Sequence, residues 1–269
     1  MSPSPSPTGP SVLLAGCGKL GGALLDGWLQ AGLAPSVVLD RHRAPLPAPH
    51  RIARTPEDIP ADFRPDLVVL AVKPAAAASV AEALVPWIRS SVVLSVMAGR
   101  TTAGLAEICG HDRIIRAMPN TPAAIGKGIS GMFAGPEVPL AARDACKWLL
   151  HAVGAVAVVD RESDMDAVTA VSGSGPAYVF LLAELLEKAA IAQGLAPDLA
   201  RKLARHTVSG AGALLEADTT DAADLRRAVT SPNGTTARAL DILMRDDAWP
   251  RTLSDAVAAA TARARELAT

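Results

Sequence analysis

A chain of 269 residues is long enough for one large domain or two modest ones with ample core. Half of it is apolar while only 3% is aromatic, which suits a helix-rich α/β protein and disfavours an all-β sandwich. The formal net charge of -1, with no basic block, disfavours nucleic acid as a partner, because neutralising phosphates takes clustered Lys and Arg.

In chain order, residues 1–10 (MSPSPSPTGP) lack the basic and apolar regions of a secretion signal and are expected to form a disordered tail. Val12–Ala15 reads as a short strand, Leu20–Ala31 as a helix and Ser36–Leu39 as a second strand ending at Asp40. The Pro-rich segment 44–49 cannot be regular helix. Asp66–Val72, DLVVLAV, has the near-continuous apolar character of a parallel strand covered on both faces. Val92–Val96 and Arg113–Met118 read as further strands around a helix at Thr102–Cys109, so residues 11–160 are expected to form an open parallel sheet flanked by helices. Beyond Asp160 the Ala- and Leu-rich segments Pro176–Gln193, Pro197–Leu215, Asp221–Ala228, Thr235–Arg245 and Asp247–Leu267 carry helical periodicity. Residues 161–269 are therefore expected to be an all-α domain. No apolar run is long enough to span a membrane without a charge or Pro interrupting it, so no membrane partner is expected. Cys17, Cys109 and Cys146 and the five histidines show no metal-ligand spacing; the thiols read as reduced core residues of a cytoplasmic protein that needs no metal.

The segment Gly16-Cys17-Gly18-Lys19-Leu20-Gly21 fits G-x-G-x-x-G directly between a strand and a helix. Glycines there allow a tight turn, close approach of a pyrophosphate and helix–strand packing, and the helix start offers N–H groups to the anion. Asp40 closes the second strand, where an acidic residue commonly takes the ribose diol; Arg41 and Arg43 follow at once and could instead accept a 2′-phosphate. The choice between NADH and NADPH stays open at this point. Ala71-Val72-Lys73-Pro74 and Met118-Pro119-Asn120-Thr121-Pro122 follow apolar strands at the carboxyl edge where ligands bind, or else are Pro-terminated strand ends.

With Ser172-Gly173-Ser174-Gly175-Pro176-Ala177-Tyr178 and Thr230-Ser231-Pro232-Asn233-Gly234-Thr235-Thr236, these motifs resemble, in order and spacing, those of the pyrroline-5-carboxylate reductases. The resemblance runs from Ser11 to the C-terminus. It implies a Rossmann domain that binds NAD(P)H, a helical domain that dimerises, and reduction of 1-pyrroline-5-carboxylate to L-proline, the last step of proline biosynthesis. By position it also implies cofactor contacts from Ala15, Gly16, Cys17, Gly18, Lys19 and Leu20. Further contacts fall at Ala71, Val72, Lys73 and Pro74, at Val96, Met97 and Ala98 after the fourth strand, and at Glu162; Gly21, Asp40, Arg41 and Asn120 complete the expected cofactor set. Ser174 would start the helix of the dimer interface, as a helix cap or as a substrate contact.

Hydride transfer to a cyclic imine leaves the protein to position the ring and hold its carboxylate. Backbone N–H groups of Asn233, Gly234 and Thr235, opening a helix, make an expected anion nest; the plainer reading is a turn with Thr235 as helix cap. The resemblance assigns Ser231 to the substrate pocket and gives Thr236 a hydrogen bond to the ring nitrogen, so Ser231 and Thr236 are the expected catalytic pair. Asn233 departs from the family's usual Pro-Gly-Gly, although Asn tolerates positive φ better than other non-glycine residues. Two other readings stand beside this one: a reductase of another cyclic imine or of a β-hydroxyacid, for which Lys188 and Lys202 are the C-terminal lysine candidates, and a non-catalytic dinucleotide sensor. The abundance of apolar helix positions points to a homodimer or a higher assembly of dimers.

Overall fold

The structure is a computed structural model and describes residues 9–268, so positions 1–8 of the expected tail lie outside the described residues. At Gly9 the backbone N–H already donates to the Gly32 carbonyl, at 3.2 Å. Two compact units divide the chain: residues up to Gly173 together with those from Ala260 on, and residues Ser174–Ala259.

The first unit begins with β1 (Val12–Ala15), α1 (Lys19–Ala31), β2 (Val37–Leu39), β3 (Arg51–Ala53) and β4 (Leu67–Leu70). There follow α2 (Ala77–Ala83), α3 (Val85–Ile88), β5 (Val92–Ser95), α4 (Thr102–Cys109) and β6 (Ile114–Met118). It continues with β7 (Gly128–Ala134), α5 (Leu140–His151), β8 (Gly154–Val158) and α6 (Asp164–Val168). One sheet holds all eight strands in the order β3-β2-β1-β4-β5-β6-β7-β8.

The expected fully parallel sheet needs one correction: β7 runs antiparallel to β6, and β8 pairs parallel with β7. Residues 119–127 between β6 and β7 hold only a 3₁₀ turn (Thr121–Ile125). A parallel return would need a crossover of roughly a dozen residues or more, so the chain turns straight back. β3, α2, α3, β7, α5, β8 and α6 were not expected from sequence. β3 has three residues, and β7 is diluted by Gly128, Ser130 and Gly131, so neither carries a clear period-two signal.

Alternation along the strands fills two cores. Val12, Leu14, Val38, Val69 and Leu94 face α1 and α5, whereas Leu13, Val37, Val68, Leu70 and Val93 face α2, α3 and α4. From α1, Leu24, Leu25 and Trp28 are fully buried, and the Trp28 indole N–H donates to the Leu149 carbonyl of α5 at 2.8 Å. This bond satisfies the one polar atom of the largest side chain in that core. Helix α1 stops at Gly32, whose φ of 91° lets its N–H reach back to the Leu29 and Trp28 carbonyls.

A π-helical turn at Thr169–Gly173 leads into α7 (Gly175–Ala192), followed by α8 (Pro197–Ala217), α9 (Ala222–Ala228), α10 (Thr235–Leu243) and α11 (Trp249–Leu267). The family of segments expected to be helical is thus recovered within two or three residues at each end. The expected domain boundary at 160/161 precedes α6, and the division between compact units falls after Gly173. Pro176 sits in the first turn of α7, where no N–H is missed, and so does not interrupt the helix. The helical stretch Asp164–Ala192 is consequently continuous, and by length and composition alone it is long and apolar enough to cross a membrane. Apart from Ala200 and Ala204 of α8, helices α7 to α11 bury none of their residues.

Truncating Trp28 tests the packing of α1 on α5. Trp28→Ala should lower unfolding free energy by about 3–5 kcal/mol, and Trp28→Phe, which strands the Leu149 carbonyl, by about 1–3 kcal/mol. Urea unfolding would measure both; midpoints equal to wild type would contradict this account of the core.

Candidate functional site

The strand order reverses between β1 and β4, and the crevice at that point is where an open α/β sheet offers space to a ligand. Gly16 follows β1 with φ of +91°, and a β-carbon there would meet the Ala71 carbonyl oxygen at 2.7 Å and Val72 at 2.9 Å. At Gly21 a β-carbon would run into the Gly16 carbonyl. Gly18 is different: a β-carbon there would meet nothing within 4 Å. Gly18 is also the N-cap of α1, extended and without a side-chain cap. The first N–H groups of a thirteen-residue helix, at Lys19 and Leu20, therefore open onto free space over a residue with no side chain. Those features fit the pyrophosphate of a dinucleotide.

A cleft of about 460 Å³ extends from this loop. Ala15, Gly16, Leu39 and Val72 line it together with Pro56 and with Val80 and Ala83 of α2. Asp40, Arg41, His42 and Arg54 form its polar end, and Ser79 is also among the lining residues. Of the residues expected at the cofactor, Ala15, Gly16, Asp40, Arg41 and Val72 line this cleft; Leu39, His42, Arg54, Pro56, Ser79, Val80 and Ala83 line it too and were not expected. Arg54 follows β3, a strand too short to be read, so nothing in the sequence aimed it at the Gly-rich loop.

Asp40 is oriented inward. Its Oδ2 accepts the Cys17 N–H at 2.8 Å, and its Oδ1 accepts the N–H groups of His42 and Arg43, each at 2.8 Å. Burial alone would raise its pKa, but these three backbone donors outweigh burial and hold the carboxyl below the usual carboxylate range. Arg43 forms an ion pair with Asp26 of α1. Arg54 donates from Nη1 to the Asp40 carbonyl at 2.9 Å.

Several other expected cofactor residues lie outside the lining of this cleft. Glu162 does not line the cleft: its carboxylate accepts the Thr102 N–H at 2.6 Å, the Thr102 hydroxyl at 2.5 Å and Arg116 Nη1 at 2.6 Å. It ties the start of α4 to β6, and its pKa stays below the ordinary glutamate value because these bonds outweigh the opposing effect of burial. Asn120, buried, donates to the Ser172 carbonyl at 3.1 Å and accepts the Ile129 N–H at 3.0 Å, which pins the π-helical turn to β7. Val96 and Met97 are buried in the two cores, and only Ala98 beside them is exposed. Lys73 and Pro74 are exposed and lie outside the cleft lining, and the Pro74 carbonyl accepts from Arg100 at 2.9 Å. Of the cysteines, Cys109 and Cys146 are buried as expected while Cys17 is half-buried; burial pushes Cys109 up to about 11 and raises the other two, so none is a thiolate at neutral pH.

In the second unit, Asn233 takes φ of 59°, alone among the described non-glycine residues in having a positive φ. Thr235 does not cap: the N-cap of α10 is Gly234, and no side chain bonds to the helix start. The expected nest needs a correction at Gly234, whose N–H is already given to the Ser231 carbonyl at 3.1 Å. This leaves Asn233, Thr235 and Thr236 to offer N–H groups outward. Ser231 is exposed and Thr236 half-buried, and neither hydroxyl has a hydrogen-bond partner among the described residues. Ser174 is the N-cap of α7 by position, with no side-chain cap bond. Lys188 is paired with Glu184 at 2.5 Å on the surface of α7, and Lys202 is exposed.

Comparison with known proteins adds an independent line. Residues 162–267 match the family model "Pyrroline-5-carboxylate reductase dimerisation", and residues 11–99 match "NADP oxidoreductase coenzyme F420-dependent". The chain is 35% identical over 266 residues to a pyrroline-5-carboxylate reductase of Pseudomonas aeruginosa, covering 96% of this chain and 97% of that one. It is 39% identical over 203 residues to the enzyme of that name from Glycine max, covering 75% and 73% of the two chains. Among solved structures, a pyrroline-5-carboxylate reductase from Coxiella burnetii superimposes with a TM-score of 0.88 at 31% identity, covering 97% of this chain and 99% of that one. A Plasmodium falciparum pyrroline carboxylate reductase with NADP bound gives 0.82 at 26% identity, covering 98% and 100%.

The Glu162 clamp has a pH signature. Its folded pKa is depressed, so its stabilisation is present above the unfolded value of about 4.3 and is lost as pH falls through the folded value. Glu162→Gln should cost roughly 1.5–3 kcal/mol of stability at neutral pH, with the gap to wild type closing below about pH 4. Denaturant unfolding across that range measures it; a gap independent of pH would contradict the clamp.

Proposed function

The chain belongs to the pyrroline-5-carboxylate reductase family, and from that premise we propose that it reduces 1-pyrroline-5-carboxylate to L-proline, the closing step of proline biosynthesis. The observation that carries the reading is the loop of residues 16–21, where two glycines are forced by close backbone approach and a third, Gly18, opens an uncapped helix start to an anion. A reduced nicotinamide dinucleotide supplies the hydride when bound. Gly16, Gly18, Lys19 and Leu20 would hold its pyrophosphate by backbone, and the cleft bounded by Val72, Val80 and Ala83 would take its adenosine.

The substrate needs its carboxylate held and its ring nitrogen satisfied. We assign the carboxylate to the N–H groups of Asn233, Thr235 and Thr236, supported by the uncapped start of α10 and the positive φ of Asn233. The unpartnered hydroxyl of Thr236 is assigned to the ring N–H and that of Ser231 to the pocket wall. A cyclic imine is basic enough to bind protonated, so the ring nitrogen presents a donor that a threonine oxygen accepts, and no strong acid is required of the protein. Lys188 is engaged by Glu184, so a β-hydroxyacid reductase reading would have to rest on the exposed Lys202.

We further propose a homodimer. Phe180, Leu181 and Leu185 on α7 and Leu214 and Leu215 on α8 are all exposed, an apolar surface that a second copy of the chain would cover. The apolar stretch Asp164–Ala192 is read the same way, as interface and not as a membrane span. Three free cysteines accord with the cytoplasm. A monomer by light scattering at assay concentration would contradict the dimer.

Thr236→Ala tests the chemistry. With pyrroline-5-carboxylate and either reduced nicotinamide, wild type should form proline, and the variant should turn over roughly ten- to a hundredfold more slowly, the loss of one hydrogen bond to a charged group, with dinucleotide affinity retained. Equal turnover would remove Thr236 from the site. Dinucleotide binding by wild type without reduction of any imine would favour a sensor.

A further inference from the structure

The sequence leaves the cofactor's 2′ position undecided, with Asp40 favouring a free ribose diol and the adjacent arginines a phosphate. The structure separates these groups. A carboxylate reads a diol by accepting one hydroxyl on each oxygen, and each oxygen has two lone pairs. Oδ1 of Asp40 already accepts two backbone N–H groups and Oδ2 one. At most one acceptor site is left, so two-point recognition of the diol is not available. Asp40 instead fixes the loop: it joins the Cys17 amide of the Gly-rich turn to the first residues after β2.

The cations separate as well. Arg43 is consumed by Asp26. Arg41 and Arg54 line the cleft beside Asp40, and neither has an ion-pair partner among the described residues. Arg54 reaches that place from the end of β3 and is held there by its bond to the Asp40 carbonyl at 2.9 Å, which leaves the rest of its guanidinium fork uncommitted. Asp58 is the other carboxylate near Arg54, and its charge acts on that guanidinium. Asp58 accepts the backbone N–H groups of Arg54 and Thr55 at 2.9 Å each and caps the 3₁₀ turn that follows β3. Around the polar end of the cleft two carboxylates, Asp40 turned toward the loop and Asp58 attracted by Arg54, both already hold backbone N–H groups, while Arg41 and Arg54 stand there outside any ion pair among the described residues, with His42 beside them.

We propose that this end of the cleft is a 2′-phosphate site, with Arg41 and Arg54 as its ligands, and that the chain selects NADPH over NADH. The inference rests on the dinucleotide reading above and adds which dinucleotide and which residues choose it. Asp40 is a positioning residue here: it holds the loop and, through its carbonyl, Arg54.

Equilibrium binding isolates the proposal from turnover. Titration calorimetry of the intact protein with adenosine 2′,5′-bisphosphate and with 5′-AMP should show the bisphosphate binding roughly ten- to a hundredfold more tightly, the worth of a hydrogen bond to a charged group. Raising salt should shrink that ratio. Arg41→Gln, which removes no internal bond, and Arg54→Gln should each pull the ratio toward one, while Arg54→Lys, keeping the charge, should retain part of it; thermal unfolding of each variant checks that the fold is intact. NADP⁺ and NAD⁺ should follow the same order. Equal affinities for the bisphosphate and AMP, or a preference that survives in the Arg41→Gln/Arg54→Gln double variant, would overturn the 2′-phosphate site while leaving the reductase reading in place. Failure of all four nucleotides to bind would overturn the dinucleotide reading itself, and this proposal with it.

Discussion

No β-carbon fits at residue 16. The backbone there passes so close to the Ala71 carbonyl that only glycine, at positive φ, brings the end of β1 against the end of β4. That approach defines the crevice at the reversal of strand order, aims α1 at it, and places the Gly18 gap over the free N–H groups of the helix. The two cores, packed on opposite faces of the sheet, keep the strand ends in register beneath it. The site is therefore a property of the backbone before any side chain contributes.

Asp40 extends the same logic one strand further. A carboxylate at a strand end is most simply read as a ligand for ribose, yet here it holds backbone, accepting N–H groups from the turn after β1 and from its own turn. Glu162 and Asn120 behave alike: each polar side chain inherited from an expected contact surface is spent on joining elements within the fold. The proposed ligand contacts fall instead to backbone donors, arginines and unpartnered hydroxyls. This division is economical in chemistry, since hydride transfer to a protonated imine asks the protein for geometry and charge placement and not for a strong acid or nucleophile.

How much of this was legible in the sequence follows from the range of the interactions involved. The Gly-rich turn, the apolar strands and the C-terminal helices depend on local sterics and periodicity, and Val12–Ala15 and Thr102–Cys109 fall where the pattern puts them. The series of motifs carried the family. What could not be read was set by tertiary distance: Arg54 in the lining of the cleft, Glu162 on Arg116 across forty-six positions, and the reversal of β7. Even within one loop, the expected donor at Gly234 is taken by Ser231, a detail that depends on Asn233 adopting a left-handed backbone. Residue types announced the chemistry, and the partners each one had already engaged decided which were free to perform it.

The central claim is that this chain directs a hydride from the reduced nicotinamide to the imine carbon of pyrroline-5-carboxylate. Supplying dinucleotide deuterated at C4 of the nicotinamide and analysing the product by mass spectrometry and NMR tests it most directly. The account predicts L-proline carrying a single deuterium at C5, formed in step with cofactor oxidation. Proline without deuterium, or cofactor oxidation without proline, would contradict it.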